Sequence, residues 1–286
     1  MPTMPTKRIT GIQLGVKSDD QILRESVVPV TTSELFDGDT PKPCGLFDPR
    51  MGPLDSRTTC PTDERGHIQC PGYPGHIPLV LPILAYQYIR WIVKIMRCFC
   101  PMCSYPRFDV CDPTTRVLMF GAEGAARLSR AVDISMKRRV CDRCGNLLPR
   151  IIKKDRSMLH CIKLVYRIAA NNEREVRFQP EMVKAVFEKI TDADCMNIGL
   201  KPAHCRPEWF IRSVFPVPPP SMRPPARQSS QLPMHDDLTY TLCDIIKSNR
   251  ALAKYLDKLR ERIAESNSEE DRQRIEETSA NAIDCY

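Results

Sequence analysis

The sequence predicts an α+β fold in which helices and short antiparallel strands enclose irregular, metal-tied loops. Apolar residues recur at helical spacing in one kind of stretch, as in Leu84, Tyr88, Ile92 and Ile95. In another kind they alternate: Ile162, Leu164, Tyr166 and Ile168 share one side, with Lys163 and Arg167 on the other. Cysteine is abundant and paired, with 14 in 286 residues and two C-x2-C pairs, Cys100/Cys103 and Cys141/Cys144.

Composition bounds the class. A hydrophobic share of 42% with 27% charged residues excludes wholesale disorder. The length allows two modest domains, or one elongated domain with an extra module. The start has no apolar core of a secretory signal, so none is expected. The most apolar stretch, Ile77 to Met96, is cut by Pro78, Pro82, Arg90 and Lys94. A membrane span needs about 20 residues with few charges, so this stretch reads as a buried helix of a soluble protein. The cysteines are too sparse for a small disulfide scaffold, and without a signal they read as metal-ligating thiols of an intracellular chain.

Residues 1–45 mix polar residues with Thr and Pro and read as an extended arm with a β-like run at Val27–Val30. Residues 44–78 are dense in Pro and Gly, which leaves little room for regular structure. An amphipathic helix is expected over about 80–98, carrying Leu81, Leu84, Tyr88, Ile92, Ile95 and Phe99 on one face. A second helix is expected over Ala122–Met136, then β-like runs near 147–153 and 158–168. Pro180 suits the first turn of a helix with Met182, Val183, Val186, Phe187 and Ile190. A short helix begins at Pro207. Phe215 to Pro225 excludes helix and central strand and reads as an extended polyproline strap. Its alternative use, as an SH3-type ligand, is the lesser reading. Helical patterning resumes at Asp237, with Leu238, Leu242, Ile245 and Ile246 on one face, before a charged tail. These shifts divide the chain at 1–95, 96–170, 171–215, 216–235 and 236–286.

Two thiolates three apart on a tight turn can face one ion, and two such turns complete a tetrahedral zinc site. Cys100, Cys103, Cys141 and Cys144 are therefore expected to bind one zinc in a structural role, since four thiolates leave no open coordination position. A redox dithiol is the rival, but no βαβ pattern surrounds either pair. An earlier cluster offers Cys60, Asp63, His67, Cys70 and His76, which suits a mixed metal site or a loop satisfied without metal. His160 beside Cys161 reads as packed strand. There is no P-loop, G-x-S-x-G, H-E-x-x-H or carboxylate cluster spaced for phosphoryl transfer.

Charge is concentrated in the middle. From Lys94 to Arg167 there are 16 basic and 6 acidic residues, against 26 and 29 in the remainder. A local basic excess is the electrostatic footprint of a nucleic-acid partner, or a solvated face.

Several ordered segments carry a resemblance. They are Gly45-Leu-Phe-Asp-Pro-Arg-Met-Gly-Pro-Leu-Asp55, Cys60 through Cys70-Pro-Gly-Tyr-Pro-Gly-His76, the Cys100/Cys103 pair, Arg206-Pro-Glu-Trp209, Phe215-Pro-Val-Pro-Pro-Pro220 with Arg223-Pro224, and Asp236-Asp-Leu-Thr-Tyr-Thr-Leu242 through Asn249. From about Lys7 to about Asn249 the chain resembles the N-terminal clamp region of the largest subunit of multisubunit DNA-directed RNA polymerase. It is most similar to the eukaryotic polymerase II type and its homologues in large nucleocytoplasmic DNA viruses.

The resemblance implies a zinc-stabilised clamp core (1–95, with helices at 236–286) and a basic clamp head (96–170) closing over DNA. It assigns the clamp-head zinc to Cys100, Cys103, Cys141 and Cys144. It places Lys137, Arg138, Arg139, Arg143, Arg150, Lys153, Lys154 and Arg156 near template or downstream DNA. Partners would be DNA, the second-largest and other polymerase subunits, and the rest of the largest subunit, with no membrane. The location would be intracellular: the nucleus, or a cytoplasmic viral factory or virion. The family's first zinc site has the form C-x2-C-x6-C-x2-H. Here Asp63 and Tyr73 stand at the second and fourth positions, so occupancy is open, with His67 or His76 as substitutes. The Cys141/Cys144 ligands also lie closer together than in many relatives, where an insertion separates them. The Asp-rich loop that holds the catalytic Mg is absent, so the chain would belong to a nucleotidyltransferase assembly without a catalytic site of its own. It would be a piece of a split or truncated subunit, or else a free-standing zinc-ribbon DNA-binding protein derived from the clamp.

Overall fold

The structure is a computed structural model that describes residues 9–12, 14–153, 162–169, 172–224 and 234–265. His160, Cys161, the strap beyond Pro224 as far as residue 233, and the charged tail from residue 266 lie outside these. The elements run α1 (Asp19–Glu25), β1 (Phe36–Asp37), β2 (Thr40–Pro41), β3 (Gly75–Leu84), α2 (Ile89–Cys98), α3 (Pro113–Met119), α4 (Gly124–Ser135), β4 (Arg150–Lys153), β5 (Ile162–Ala169), β6 (Asn172–Phe178), α5 (Pro180–Glu188), α6 (Asp192–Asn197), β7 (Ile211–Val217) and α7 (Asp237–Glu265). The α+β expectation holds: β3 pairs antiparallel with β7, and β4-β5-β6 form an antiparallel meander.

Two groups of buried side chains organise the chain. One gathers α2, α4, β5 and α5 around Ile92, Ile95, Met96, Leu128, Leu164, Val183 and Phe187. On α2 the buried Ile89, Ile92, Val93 and Met96 fall three to four apart, the spacing that puts them on one helix face. Each such side chain contributes roughly 1.5–3 kcal/mol by leaving water. The other group gathers Val28, Val30, Leu46, Met51, Ile77, Val217, Leu242 and Ile246. The β3–β7 ladder threads both, because Gly75 pairs with Val217 in the second core and Leu84 pairs with Ile211 in the first.

The ladder corrects two expectations. Residues 80–84 belong to β3 and not to the helix, which begins at Ile89 after a 3-10 turn at Tyr86–Tyr88. Phe215-Pro-Val is the end of β7, and only the following Pro220–Met222 turns away as a 3-10 helix. Proline is tolerated in both strands because each is an edge. The register shifts between Pro78 and Ile83, and Asn249 of α7 fills the irregularity. Its side chain accepts from the Val80 amide and donates to the Pro78 carbonyl, both at 2.9 Å.

Elements absent from the sequence reading are α1, α3, α6, β1, β2 and β6, besides the two strands β3 and β7. Pro180 does open α5, and the short helix at Pro207 is a 3-10 turn over Pro207–Phe210. Two side chains assigned to buried faces, Met182 and Leu238, are half exposed. Among the described residues no helix is long and apolar enough to cross a membrane.

Candidate metal centre and basic face

Cys100 and Cys103 sit on a turn that starts where α2 ends. The Ser104 amide donates to the Cys100 carbonyl (2.8 Å) and the Cys100 amide to the Tyr105 carbonyl (2.9 Å). Phe99 and Pro106 then close the turn as an isolated bridge. Cys141 and Cys144 repeat this construction: Gly145 donates to Cys141 (2.9 Å), Cys141 donates to Asn146 (3.0 Å), and Val140 bridges Leu147. The residue after each second cysteine is left-handed, Ser104 at φ 58° and Gly145 at φ 69°. Glycine takes that conformation freely, while Ser104 is held there by its surroundings.

The two turns face one another. Cys100 Sγ lies 3.7 Å from Cys144 Sγ, and Cys103 Sγ lies 3.6 Å from Cys141 Sγ. All four sulfurs fall within 4.8 Å of each other. Four thiolates about 2.3 Å from a zinc ion would stand about 3.8 Å apart, so the donor set fits tetrahedral zinc. Burial pushes the Cys100 thiol up to about 12. Burial also opposes ionisation of Cys141, yet the Cys144 and Arg143 amides and the Cys103 and Cys144 thiols donate to its sulfur and bring it down to about 7. Without an ion the four sulfurs cannot all ionise at this distance from one another; a bound cation would remove that conflict.

The same turn occurs a third time. Glu64 donates to the Cys60 carbonyl (2.8 Å), Cys60 donates to Arg65 (2.9 Å), Thr59 bridges Gly66, and Glu64 has φ 58°. Asp63 takes the position held elsewhere by the second cysteine, and Cys60, Asp63 and Cys70 form a compact group able to hold a metal ion. Tyr73, at the place of the family's histidine, donates its hydroxyl to Asp63 Oδ2 at 3.2 Å. His67 and His76 stand outside the group: His67 Nδ1 lies 3.3 Å from the Pro53 carbonyl, and His76 Nδ1 lies 2.7 Å from Ser26 Oγ. Burial raises Cys70 to about 11, with Cys60 and Asp63 adding to the effect. The donor set is therefore two thiols and a carboxylate, poorer in soft ligands than the four-cysteine centre.

The basic residues separate into two places. Arg138, Arg139 and Arg150 line a cleft beside the second cysteine turn, together with Arg97, Arg107 and Arg167. Arg143 lies on another side, its guanidinium 5.7 Å from the Tyr105 ring centroid in a cleft shared with Cys103 and Cys144. Lys137 is exposed and lines neither. The Lys153 side chain, Lys154 and Arg156 lie outside the described residues. Arg107, which sequence reasoning passed over, is 6% exposed, and burial lowers its pKa against the pull of the Cys100, Cys98 and Cys141 thiols. Nothing in its neighbours along the chain marks it, because its environment is made by segments from Arg97 to Arg167.

Three cysteine-bearing turns of one construction, two of them facing one another as a four-thiol group able to hold a metal ion and one beside an arginine-lined cleft, mark the chain. It belongs to the family described as RNA polymerase Rpb1, domain 1, which matches residues 6–276. It is 32% identical over 265 residues to the DNA-directed RNA polymerase subunit Rpo1N of Sulfolobus acidocaldarius, covering 89% of this chain and 29% of that protein. It is 31% identical over 258 residues to the protein of the same name from Methanocaldococcus jannaschii, covering 88% of this chain and 19% of that protein. The chain thus spans less than a third of the length of these curated relatives.

Proposed function

We propose that the chain is the clamp portion of the largest subunit of a DNA-directed RNA polymerase and holds template and downstream DNA in the cleft during transcription. The observation that carries this reading is the family match over residues 6–276, combined with an arginine-lined cleft beside the four-cysteine centre. Its partners are then DNA, the second-largest and other polymerase subunits, and the remainder of the largest subunit. The assembly is a nucleotidyltransferase whose Mg ion is held elsewhere, and this chain contributes grip. Its place is intracellular, in a nucleus or in a viral factory or virion.

Zinc at Cys100, Cys103, Cys141 and Cys144 would supply folding free energy and no reaction step. The chain's own residues do the rest. The turns fix the C-terminus of α2 against the start of the β4–β5 hairpin. Arg138, Arg139, Arg143, Arg150 and Lys137 then present charge to phosphates without reading bases. Contacts of that kind weaken steeply with salt and permit sliding along any template.

A photo-crosslinking amino acid placed at Arg139, in the chain purified with whatever it is assembled with, tests the reading. Labelling of duplex DNA that falls as salt rises is expected. Labelling confined to protein would overturn a DNA-facing clamp head.

A further inference from the structure

We propose that the cleft between the second cysteine turn and the β4–β5 pair is a discrete phosphate-binding site, floored by Arg107. It rests on the clamp reading only for the source of the phosphate, the nucleic-acid backbone. The cleft itself stands on geometry.

The cleft has a volume of about 300 Å³, the small end of ligand-sized sites. Six arginines line it and one acid, Glu173. That acid is taken up by Arg167, whose Nη2 lies 3.1 Å from its carboxylate. Arg138 is paired with Asp142. Arg139 and Arg150 are exposed and have no side-chain partner among the described residues. The floor is fixed: Arg97 donates from Nε (3.2 Å) and Nη2 (2.9 Å) to the Ile151 carbonyl, and Arg107 Nη1 donates to the Arg97 carbonyl at 3.2 Å.

Arg107 is the second, independent observation. Its side chain is almost fully buried, it lines the cleft, and its Nε has no hydrogen-bond partner. That Nε is itself shut off from the surface, so what Arg107 offers the cleft is a fixed positive charge, and an oxyanion is the partner a guanidinium suits best. Two exposed arginines at the rim and a fixed one at the floor set positive charge at both ends of the cleft, the arrangement a phosphate would fill. Solvated charge on an open face would need neither the cleft nor the buried floor.

The test uses the full metal-loaded chain, inorganic tripolyphosphate as the probe of phosphate chemistry, and a single-stranded oligonucleotide as the probe of source, both followed by calorimetric titration. Arg139→Ala/Arg150→Ala should weaken tripolyphosphate at least tenfold with an unchanged melting temperature. Arg116→Ala removes one exposed charge away from the cleft and should leave it unchanged. Glu173→Gln should tighten it. No tripolyphosphate binding, or equal weakening by Arg116→Ala and the double variant, overturns the site while leaving the clamp reading intact. Tripolyphosphate binding that the oligonucleotide or its duplex competes away supports both site and source. Binding that neither the oligonucleotide nor its duplex disturbs keeps the phosphate site and overturns the nucleic-acid backbone as its source.

Discussion

The guanidinium of Arg223 donates to the backbone carbonyl of Leu46 from a position with no solvent exposure. The same side chain reaches the Pro218 carbonyl (3.1 Å) and Thr239 Oγ1 (3.3 Å), and lies 5.0 Å from the Phe47 ring centroid. One residue thereby joins the loop before β3, the end of β7 and the first turn of α7. Burial lowers its pKa to about 10, which still leaves it charged at neutral pH.

Arg223→Ala is expected to destabilise the chain by about 3 kcal/mol, because it strands buried acceptors and opens a cavity. Arg223→Lys should recover only part of this, since an ammonium cannot serve three acceptors with the planar fork. Denaturant midpoints measure both. A loss under about 1 kcal/mol for the alanine variant would show that the three segments hold together without it.

If zinc occupies the four-cysteine group, Cys103→Ser is expected to abolish its tight binding and to open residues 95–153 to protease, because a structural ion would contribute directly to folding. Zinc per chain by atomic emission, with limited proteolysis beside it, checks this. Full protection of 95–153 after zinc loss would mean that the core around α2 and α4 suffices.

The first cysteine turn makes the opposite prediction. Cys60, Asp63 and Cys70 offer one soft ligand fewer than a C-x2-C arrangement with a third cysteine. Asp63→Cys should add a zinc equivalent that survives a chelator concentration stripping the same site in the wild type. An unchanged zinc count would show that Tyr73 at the fourth position, rather than Asp63, limits the site.

The triple change Lys137→Ala, Arg138→Ala and Arg139→Ala should reduce the salt dependence of DNA binding by about 2 in the log–log slope. Each phosphate contact is worth about 0.9, and Arg138 is held by Asp142. A slope identical to the wild type would make this face merely solvated.

The cysteine pairs and the Pro180 helix were legible because their signals are local. So in principle were α1, whose Ser18 and Gln21 form a capping box, and α3, with Asp112 capping and Pro113 in its first turn. Both are seven residues long and carry too few apolar positions to show a period. β6 was hidden by its charges, as Asn172–Phe178 is an edge strand with Glu173 and Arg177 exposed. The strand at 80–84 was unreadable for a different reason. Its partner β7 lies more than a hundred residues away, and Leu81 and Leu84 happen to continue the period of α2. The grouping of Cys100, Cys103, Cys141 and Cys144 could be anticipated from spacing, whereas Arg107 and the Tyr73–Asp63 contact depend on segments brought together only by folding.

Affinity purification of this chain from its native source, with mass spectrometry of what accompanies it, is the measurement that decides whether it works as a polymerase clamp. A clamp would bring with it a second-largest polymerase subunit, together with the Asp-rich catalytic loop of the largest subunit on this or another polypeptide. Recovery of DNA with no polymerase subunit would contradict the clamp reading and leave a free-standing DNA-binding protein.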